Sequence, residues 1–337
     1  MAVADDIGAI DEARRRGLIT HLGPGAHQCW YPVALSKDVP KGNAIGTDLG
    51  DGRIIIYRGE DGVARAMSAY CRHMGADLSF GGEVIGNNIR CPYHHWSYGD
   101  GGRCKIIPSG DPIPSGTNLV YLPLKEQFGL IWVFFGKTPL YELQTFDDFD
   151  DEKHVARACE VKFSENLRAE PWIVLSNIYD IVHLRFLHGM KIVGTEIEQM
   201  DPYRCRMSWK AEHTGEKDSG SWSPEIYVYG MNSIRTKGEM DGRLKWYIAA
   251  STPCGRQGTR MFLTIITTKD AGAESFLDRA EAMHNRILNE DLPILNNMRY
   301  GALRLVKADR DMGRFIRAVS EYPRTTLDAL EAAANGS

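Results

Sequence analysis

Hydrophobic and polar positions alternate in short runs along residues 30–140, and glycine-containing pairs separate the runs. Alternation with a period of two is typical of half-buried β-strands. The runs are rich in β-branched and aromatic residues and lie at 53–58, 63–70, 83–91, 119–124 and 130–135. The turn-forming pairs are Asp51-Gly52, Asp61-Gly62, Gly81-Gly82 and Gly101-Gly102. This pattern predicts a small antiparallel β domain over 30–140, after an N-terminal segment (1–29) with a short helix at 5–19.

The pattern changes after an acidic stretch without periodicity at 141–152, which we interpret as a linker region. Longer strand-like runs follow at 203–213, 224–236, 243–252 and 259–268. Helices are predicted at 165–188, at 271–299 with Pro293 inside, and at 301–319. An antiparallel sheet with helices against one face is an α+β arrangement. The second domain is therefore predicted to be α+β and to span 141–337.

Composition and charge narrow the classes of function. The 40 Lys and Arg residues and 44 Asp and Glu residues give a net charge of −4, so no basic excess points to nucleic acid or an anionic membrane. No apolar run approaches the roughly 18 residues of a membrane span, and residues 1–17 lack the apolar segment of a signal peptide. We expect a cytoplasmic protein, whose 7 cysteines are thiols or metal ligands rather than disulfides.

Two cysteines and three histidines fall together in residues 71–96, CRHMGADLSFGGEVIGNNIRCPYHHW. The spacing is Cys71-x-His73, then Cys91-x-x-His94, so each loop offers one thiolate and one imidazole. A zinc finger groups its cysteines at one end and its histidines at the other. A Rieske [2Fe–2S] centre instead has one iron on two cysteines and the other on two histidines, and this fits the mixed pairs better. The alternatives are a structural zinc site or unrelated core residues.

The sequence segments around these residues, CRHMGA at 71–76 and CPYHHW at 91–96, resemble the motifs of the Rieske domain family. The resemblance implies that Cys71 and Cys91 bind one iron and that His73 and His94 bind the other. Many members have glycine after the second histidine, where this chain has His95, which we interpret as a non-ligand. Cys104 lies on the next predicted strand and is interpreted as a buried packing thiol.

A second candidate metal motif lies in residues 176–189, SNIYDIVHLRFLHG. Asp180 and His183 are three residues apart and share a helix face. His188 is five residues beyond His183, so both histidines reach one metal only if the helix widens or ends near 187–188, and Gly189 is a natural terminator. Two histidines and one carboxylate form the facial site of non-haem Fe(II) oxygenases. Taken alone, the motif is weak, because most such triplets are ordinary surface or core groups.

A D-x-x-H-x4-H motif after an N-terminal Rieske domain resembles the Rieske non-haem iron oxygenases, and the resemblance runs from WYPVA at 30–34 to the last helices. It implies a helix-grip (START-like) catalytic domain and a homotrimer. The carboxylate ligand would come from a late helix, at Asp291, with Glu290 as the competitor. Asp180 would instead bridge His183 to the partner subunit's His94, and Asn177 would lie on the same helix face toward the iron.

The resemblance implies the terminal oxygenase of a multicomponent system. The chain has no G-x-G-x-x-G dinucleotide fingerprint, so electrons from NAD(P)H would arrive through a ferredoxin, a flavin-containing reductase or both. The expected cofactors are the [2Fe–2S] cluster and mononuclear Fe(II), and the expected co-substrate is O2. We expect monooxygenation of a bulky hydrophobic or aromatic substrate.

Several alternatives stay open. Residues 98–110, YGDGGRCKIIPSG, resemble the branch of ketosteroid 9-alpha-hydroxylases. Aromatic-ring cis-dihydroxylation and O- or N-demethylation would use the same iron site, so the motifs do not separate them. A Rieske electron carrier without a second iron would leave the arrangement of Asp180, His183 and His188 unexplained. A zinc-stabilised binding protein is the remaining rival.

Overall fold

The computed structural model describes residues 22–213, 221–222, 224–299 and 303–336. The helix predicted at 5–19 lies outside the described residues. The chain divides into two units: an N-terminal unit made of 24–143 and 323–337, and a C-terminal unit that includes 144–322. The break between them falls at the acidic stretch that the sequence marks as a linker region.

Short antiparallel strands form most of the N-terminal unit. The strands are β1 (Ala26–His27), β2 (Trp30–Leu35), β3 (Ala44–Leu49), β4 (Gly52–Arg58), β5 (Ala64–Ser68), β6 (Glu83–Ile85), β7 (Asn88–Arg90), β8 (Ser97–Tyr98), β9 (Cys104–Ile106), β10 (Tyr121–Leu122), β11 (Leu124–Gln127) and β12 (Leu130–Phe134). All of them except β1 pair in three sheets, in the orders β10-β5-β4-β3, β11-β12-β2 and β6-β7-β8-β9. The run predicted as one strand at 83–91 is the hairpin β6–β7, because Gly86 turns the chain at φ +59°.

Close backbone packing explains why the turn at 99–104 contains glycine at position 102. Gly102 has φ +74°, and its N–H donates to the carbonyl of Gly99 at 3.0 Å. The N–H of Leu119 donates to the carbonyl of Gly102 at 2.8 Å. A Cβ on Gly102 would lie 2.1 Å from the carbonyl oxygen of Leu119. Glycine is therefore required here by backbone geometry within the N-terminal unit.

Gly102→Ala is expected to lower the free energy of unfolding by about 3 kcal/mol, since it adds a backbone clash to the left-handed strain. The matched control is Gly62→Ala, because Gly62 has φ +81° but nothing within 4 Å of an added Cβ. The control shares the backbone strain alone, about 1 kcal/mol. Chemical denaturation followed by circular dichroism measures both, and equal losses would contradict the packing explanation.

One large antiparallel sheet organises the C-terminal unit, in the order β13-β22-β21-β18-β17-β15-β14, with β16 paired to β15. The strands are β13 (His154–Glu160), β14 (Met190–Asp201), β15 (Arg204–His213), β16 (Ser221–Trp222), β17 (Glu225–Tyr229), β18 (Ser233–Lys237), β19 (Glu239–Met240), β20 (Arg243–Leu244), β21 (Trp246–Pro253) and β22 (Thr259–Thr268). The helices are α1 (Pro171–Ser176), α2 (Ile181–Phe186), α3 (Ala273–Leu295) and α4 (Arg310–Glu321). The long helix α3 packs on β22, so the α+β prediction is confirmed.

Two predicted elements of this unit are divided in the structure. The helix predicted at 165–188 is two short helices, α1 and α2, separated by residues 177–180. The strand predicted at 224–236 is the hairpin β17–β18, which turns at Gly230 with φ +58°. The strand β14 was not predicted, because its many charged residues hide the alternation. None of the described helices is long and apolar enough to cross a membrane.

The last residues return to the N-terminal unit, although their position in the sequence assigns them to the second domain. They form β23 (Arg324–Thr325), which pairs with β1, and α5 (Leu327–Asn335). The backbone N–H of Leu327 donates to Asp51 Oδ1 at 3.0 Å. Glu331 on α5 forms an ion pair with Arg72 at 2.8 Å. Arg72 lies between Cys71 and His73, so the C-terminal helix contacts the first candidate metal-binding loop.

Two candidate metal centres and a cavity

Two loops of the N-terminal unit hold the first candidate centre, and their backbones follow the same pattern. In the loop after β5, the N–H of Gly75 donates to the carbonyl of Cys71 at 2.9 Å. In the loop between β7 and β8, the N–H of His95 donates to the carbonyl of Cys91 at 3.1 Å. The N–H of each cysteine also donates to the carbonyl five residues later. Each loop is therefore a tight turn that fixes its cysteine relative to its histidine.

The four donor side chains separate by type. Cys71 and Cys91 are 3% and 1% exposed and belong to the core, whereas both histidines lie at the surface. The ring centroids of His73 and His94 are 4.6 Å apart, and His73 stacks on Trp96 at 4.8 Å. This arrangement fits a Rieske cluster whose cysteine-bound iron is inside and whose histidine-bound iron faces outward. Cys104 is buried in the same core, as predicted.

A tyrosine hydroxyl lies beside the cysteine pair. Tyr98 Oη is 3.2 Å from Cys71 Sγ and accepts the backbone N–H of Arg72 at 3.0 Å. Burial raises the pKa of Tyr98, so the hydroxyl keeps a proton that it can donate to a thiolate. Burial, with a contribution from the neighbouring Cys91, also raises the pKa of the Cys71 thiol. A bound cation would release the thiol proton and turn this contact into a charge-assisted hydrogen bond.

His95 occupies a left-handed backbone position, with φ +59°, that Gly75 occupies in the other loop at φ +74°. His95→Gly is therefore expected to raise the free energy of unfolding by about 1 kcal/mol, and to leave the visible spectrum of the cluster unchanged. His95→Val is the opposing variant and should be destabilising, because a β-branched residue tolerates positive φ poorly. Thermal unfolding checks both. Loss of the cluster in His95→Gly would overturn our interpretation of His95 as a non-ligand.

The second candidate centre lies at the ends of α2. Asp180 is the N-cap of α2, and its carboxylate accepts the backbone N–H groups of Val182 and His183, each at 3.2 Å. The helix ends at Phe186, and Gly189 at φ +69° turns the chain immediately after His188. Of the two conditions that the sequence left open, a widened helix or an early end, the structure has the early end. It brings the ring centroids of His183 and His188 to 5.4 Å.

Asp291 on α3 completes the group. Donor atoms of His183, His188 and Asp291 all lie within 4.8 Å of one another. His188 lies between two carboxylates, with Nε2 3.1 Å from Asp291 Oδ1 and Nδ1 2.9 Å from Glu290 Oε2. Asp291 is buried, whereas Glu290 is more exposed and pairs with Arg286 at 3.1 Å. Asp291 therefore lies with both imidazoles, whereas Glu290 contacts Nδ1 of His188, the nitrogen on the opposite side of the ring.

The pKa shifts of His183 and His188 are those expected of a cation-binding site. Burial lowers the pKa of His183 and outweighs the opposing charge of Asp291. Burial acts in the same direction on His188, but the carboxylates of Asp291 and Glu290 raise its pKa above the ordinary value. A divalent metal would take the place of the proton on His188 Nε2, beside Asp291, because histidine binds metals as the neutral imidazole. The donor set of two histidines and one carboxylate fits non-haem iron.

The three donors line a cavity of about 480 Å³ in the C-terminal unit. Asn177, the C-cap of α1, also lines it. Most other lining residues are apolar, among them Leu184, Trp209, Met261 and Leu288. Sequence reasoning missed several polar residues that also line it, among them Lys245, Tyr247 and His284. Two features of the sequence could have indicated them. His284 is seven residues before Asp291 on one predicted helix, and Lys245 lies within the predicted strand at 243–252.

Comparisons with known proteins identify the domain that contains the first candidate centre. Residues 29–117 match the Rieske [2Fe-2S] domain family. Cholesterol 7-desaturase of Bombyx mori is 28% identical over 96% of this chain and 76% of its own length. Among three further curated relatives, the chain spans 39%, 40% and 49% of their length.

Solved structures share the fold of this chain over most of its length. NdmA of Pseudomonas putida CBB5 with caffeine has a TM-score of 0.68 at 19% identity and is matched over 96% of both chains. Dicamba monooxygenase bound to dicamba has a TM-score of 0.63 at 18% identity, over 91% of this chain and 98% of its own. This chain therefore contains a domain of the Rieske [2Fe-2S] family and shares the fold of these two structures.

Proposed function

We propose that this protein is a terminal oxygenase that uses O2 to hydroxylate a bulky hydrophobic substrate. The observation that carries the proposal is the position of His183, His188 and Asp291 on the wall of a largely apolar cavity. Its volume of about 480 Å³ is within the range that holds drug-sized molecules. A donor triad that faces such a cavity suits oxidation of a bound hydrophobic molecule better than electron transfer alone.

We assign Cys71, His73, Cys91 and His94 as ligands of the cluster, and His183, His188 and Asp291 as ligands of the mononuclear iron. When bound, the cluster supplies single electrons and the iron supplies the chemistry of O2 activation. Glu290 orients His188 by accepting its Nδ1–H, while the backbone carbonyl of Asp180 does the same for His183 Nδ1. The apolar walls hold the substrate and exclude water.

The partners and the assembly follow from the absence of a dinucleotide-binding motif in the sequence and from the family resemblance. We infer that electrons reach the protein from NAD(P)H through a flavin-containing reductase, a ferredoxin or both. We also propose a homotrimer in the cytoplasm, in which the cluster of one subunit serves the iron of the next.

A second candidate reaction is desaturation. It is favoured by the relative that covers 96% of this chain, which is named as a cholesterol 7-desaturase. Hydroxylation and desaturation both begin with removal of a hydrogen from an unactivated carbon, so the same cavity and ligands suit both. This relative also supports a sterol-sized substrate, in line with the steroid resemblance of residues 98–110.

Metal analysis and isotope labelling test the proposal. Anaerobically purified protein is expected to contain about three irons and two acid-labile sulfides per chain. Turnover of a hydrophobic substrate under ¹⁸O2 with a reductase should add one labelled oxygen for hydroxylation, and none for desaturation. Two irons and two sulfides that do not rise on addition of Fe(II) would instead support a pure electron carrier.

Asp180→Asn tests the proposed bridge to the partner subunit's His94. Asparagine caps helices as well as aspartate, so both metals should be retained. Rapid mixing of the reduced protein with O2 and substrate measures the rate at which the cluster is oxidised. This rate should fall about 100-fold. Asp201→Asn is the matched control, because Asp201 also accepts a backbone N–H two residues ahead, at 2.8 Å from Tyr203. An unchanged rate in Asp180→Asn would remove Asp180 from the electron path.

A further inference from the structure

We propose that Lys245, Tyr247 and His284 form a polar anchor in the cavity, which binds an acceptor oxygen of the substrate, a carboxylate or a carbonyl, about two helical turns from the iron ligands. The inference rests on the proposed function and narrows its substrate class. It selects hydrophobic molecules that carry such an oxygen at a distance from the carbon to be oxidised.

One side of the anchor comes from β21. Tyr247, Ala249 and Ser251 all line the cavity, as expected for alternate residues of one strand face. Lys245 continues the same alternation immediately before the strand. The lysine and the tyrosine are therefore directed into the cavity by the strand itself, within a sheet whose neighbouring strand β22 contributes Met261 and Leu263 to the same wall.

The other side comes from α3. His284 and Asp291 both line the cavity and are seven residues apart, so they lie on one face of the helix. At a rise of 1.5 Å per residue, this spacing puts their backbones about 10 Å apart along the helix axis. A substrate held at His284 would extend along α3 toward Asp291. The anchor and the metal ligands thus define the two ends of one binding site.

The three side chains are contiguous and buried. The ring centroids of Tyr247 and His284 are 4.6 Å apart, and Lys245 Nζ lies 5.3 Å from the centroid of the Tyr247 ring. Lys245 is 3% exposed, Tyr247 5% and His284 9%. Among the described residues, no group forms a hydrogen bond with His284 Nε2. A buried polar atom of this kind, in the wall of a cavity, indicates a partner supplied by a ligand.

The charge state of the cluster favours an acceptor oxygen. Burial lowers the pKa of Lys245 to about 7, against the opposing charge of Asp241. Burial, and then the Lys245 charge, lower the pKa of His284, so the imidazole is neutral and carries one N–H. Burial raises the pKa of Tyr247, which stays a hydroxyl. The ammonium and hydroxyl are donors, and the imidazole becomes one when Nε2 carries its proton.

Other ligand chemistries fit less well. A cationic group would be repelled by Lys245, and a pure hydrocarbon would offer no hydrogen bond to His284 Nε2. The acidic residues of the cavity lining, Glu239 and Asp241, are exposed, so their charges are screened more strongly than that of the buried lysine. A polar site of this kind discriminates against analogues that lack the oxygen.

Equilibrium binding of three fluorescent probes to the anaerobic holoprotein tests the anchor without turnover. The probes share one body: anthracene-2-carboxylate, 2-acetylanthracene and 2-ethylanthracene. We expect the two oxygen-bearing probes to bind at least about tenfold more tightly than 2-ethylanthracene. Lys245→Met should abolish the advantage of the carboxylate, and Tyr247→Phe should weaken both oxygen-bearing probes several-fold. Lys269→Met, at an exposed lysine of the same unit, should change nothing.

The pH dependence of probe affinity distinguishes a carboxylate from a carbonyl as the preferred ligand. From about pH 7 to 9 Lys245 loses its proton in the protein without a probe, whereas His284 is already neutral, so carboxylate affinity should fall and acetyl affinity should fall less. Equal affinity for all three probes, or an unchanged preference in a folded Lys245→Met together with Tyr247→Phe, would overturn the anchor. Iron content and ¹⁸O incorporation are measured separately. Preference for the oxygen-bearing probes without oxygenation would therefore retain the anchor and reject the proposed function.

Discussion

Asp291→Ala is expected to lose the mononuclear iron and to keep the cluster. The variant should contain about two irons and two sulfides per chain, with an unchanged visible spectrum and no detectable product. The reason is geometric, since Asp291 is the buried carboxylate whose oxygen lies with both imidazoles, and its removal leaves two neutral ligands. Iron and sulfide analysis after desalting, together with EPR, measures the loss.

Glu290→Gln is the matched control for this experiment. Glu290 contacts the opposite nitrogen of His188, 2.9 Å from Nδ1, and is not grouped with His183. Glutamine can still accept a hydrogen bond from Nδ1, so iron affinity should fall by at most about 10- to 100-fold, which excess Fe(II) restores. The opposite result, with iron lost in Glu290→Gln and kept in Asp291→Ala, would move the carboxylate ligand by one residue.

Cys91→Ser is expected to lose the [2Fe–2S] cluster and its visible absorption, because a serine hydroxyl is a poor ligand for the iron of such a cluster. The N-terminal unit should also lose thermal stability, since metal binding contributes to the folding of small domains. Iron bound by His183, His188 and Asp291 should remain, because those ligands lie in the other unit.

Cys104→Ser provides the comparison for a buried thiol that is not a ligand. Cys104 is 7% exposed and packs in the same core as Cys71 and Cys91. It should keep the cluster and its spectrum and lose about 1 to 2 kcal/mol of stability, from the burial of a hydroxyl in place of a thiol. Loss of the spectrum in Cys104→Ser, with retention in Cys91→Ser, would reverse the two assignments.

The types of candidate metal ligand, and the turns that hold them, can be predicted from the sequence of this protein. The spacing of Cys71 with His73, and of Cys91 with His94, places each pair in one turn, and a turn is determined by neighbouring residues. The end of α2 before His188 is similarly local, because Gly189 supplies the left-handed residue that stops the helix. Strands with clear alternation, such as β4 and β22, are predicted for the same reason.

The remainder depends on packing between residues that are distant in sequence. His188 and Asp291 are 103 residues apart and meet only because α3 packs on the sheet. Periodicity cannot align a strand with a helix, so it did not pair Tyr247 with His284 or decide between Glu290 and Asp291. The return of residues 323–337 to the N-terminal unit likewise rests on pairing of β23 with β1. Sequence alone is thus sufficient for ligand types held within single turns, whereas tertiary packing decides which ligands share a metal and what else the cavity can bind.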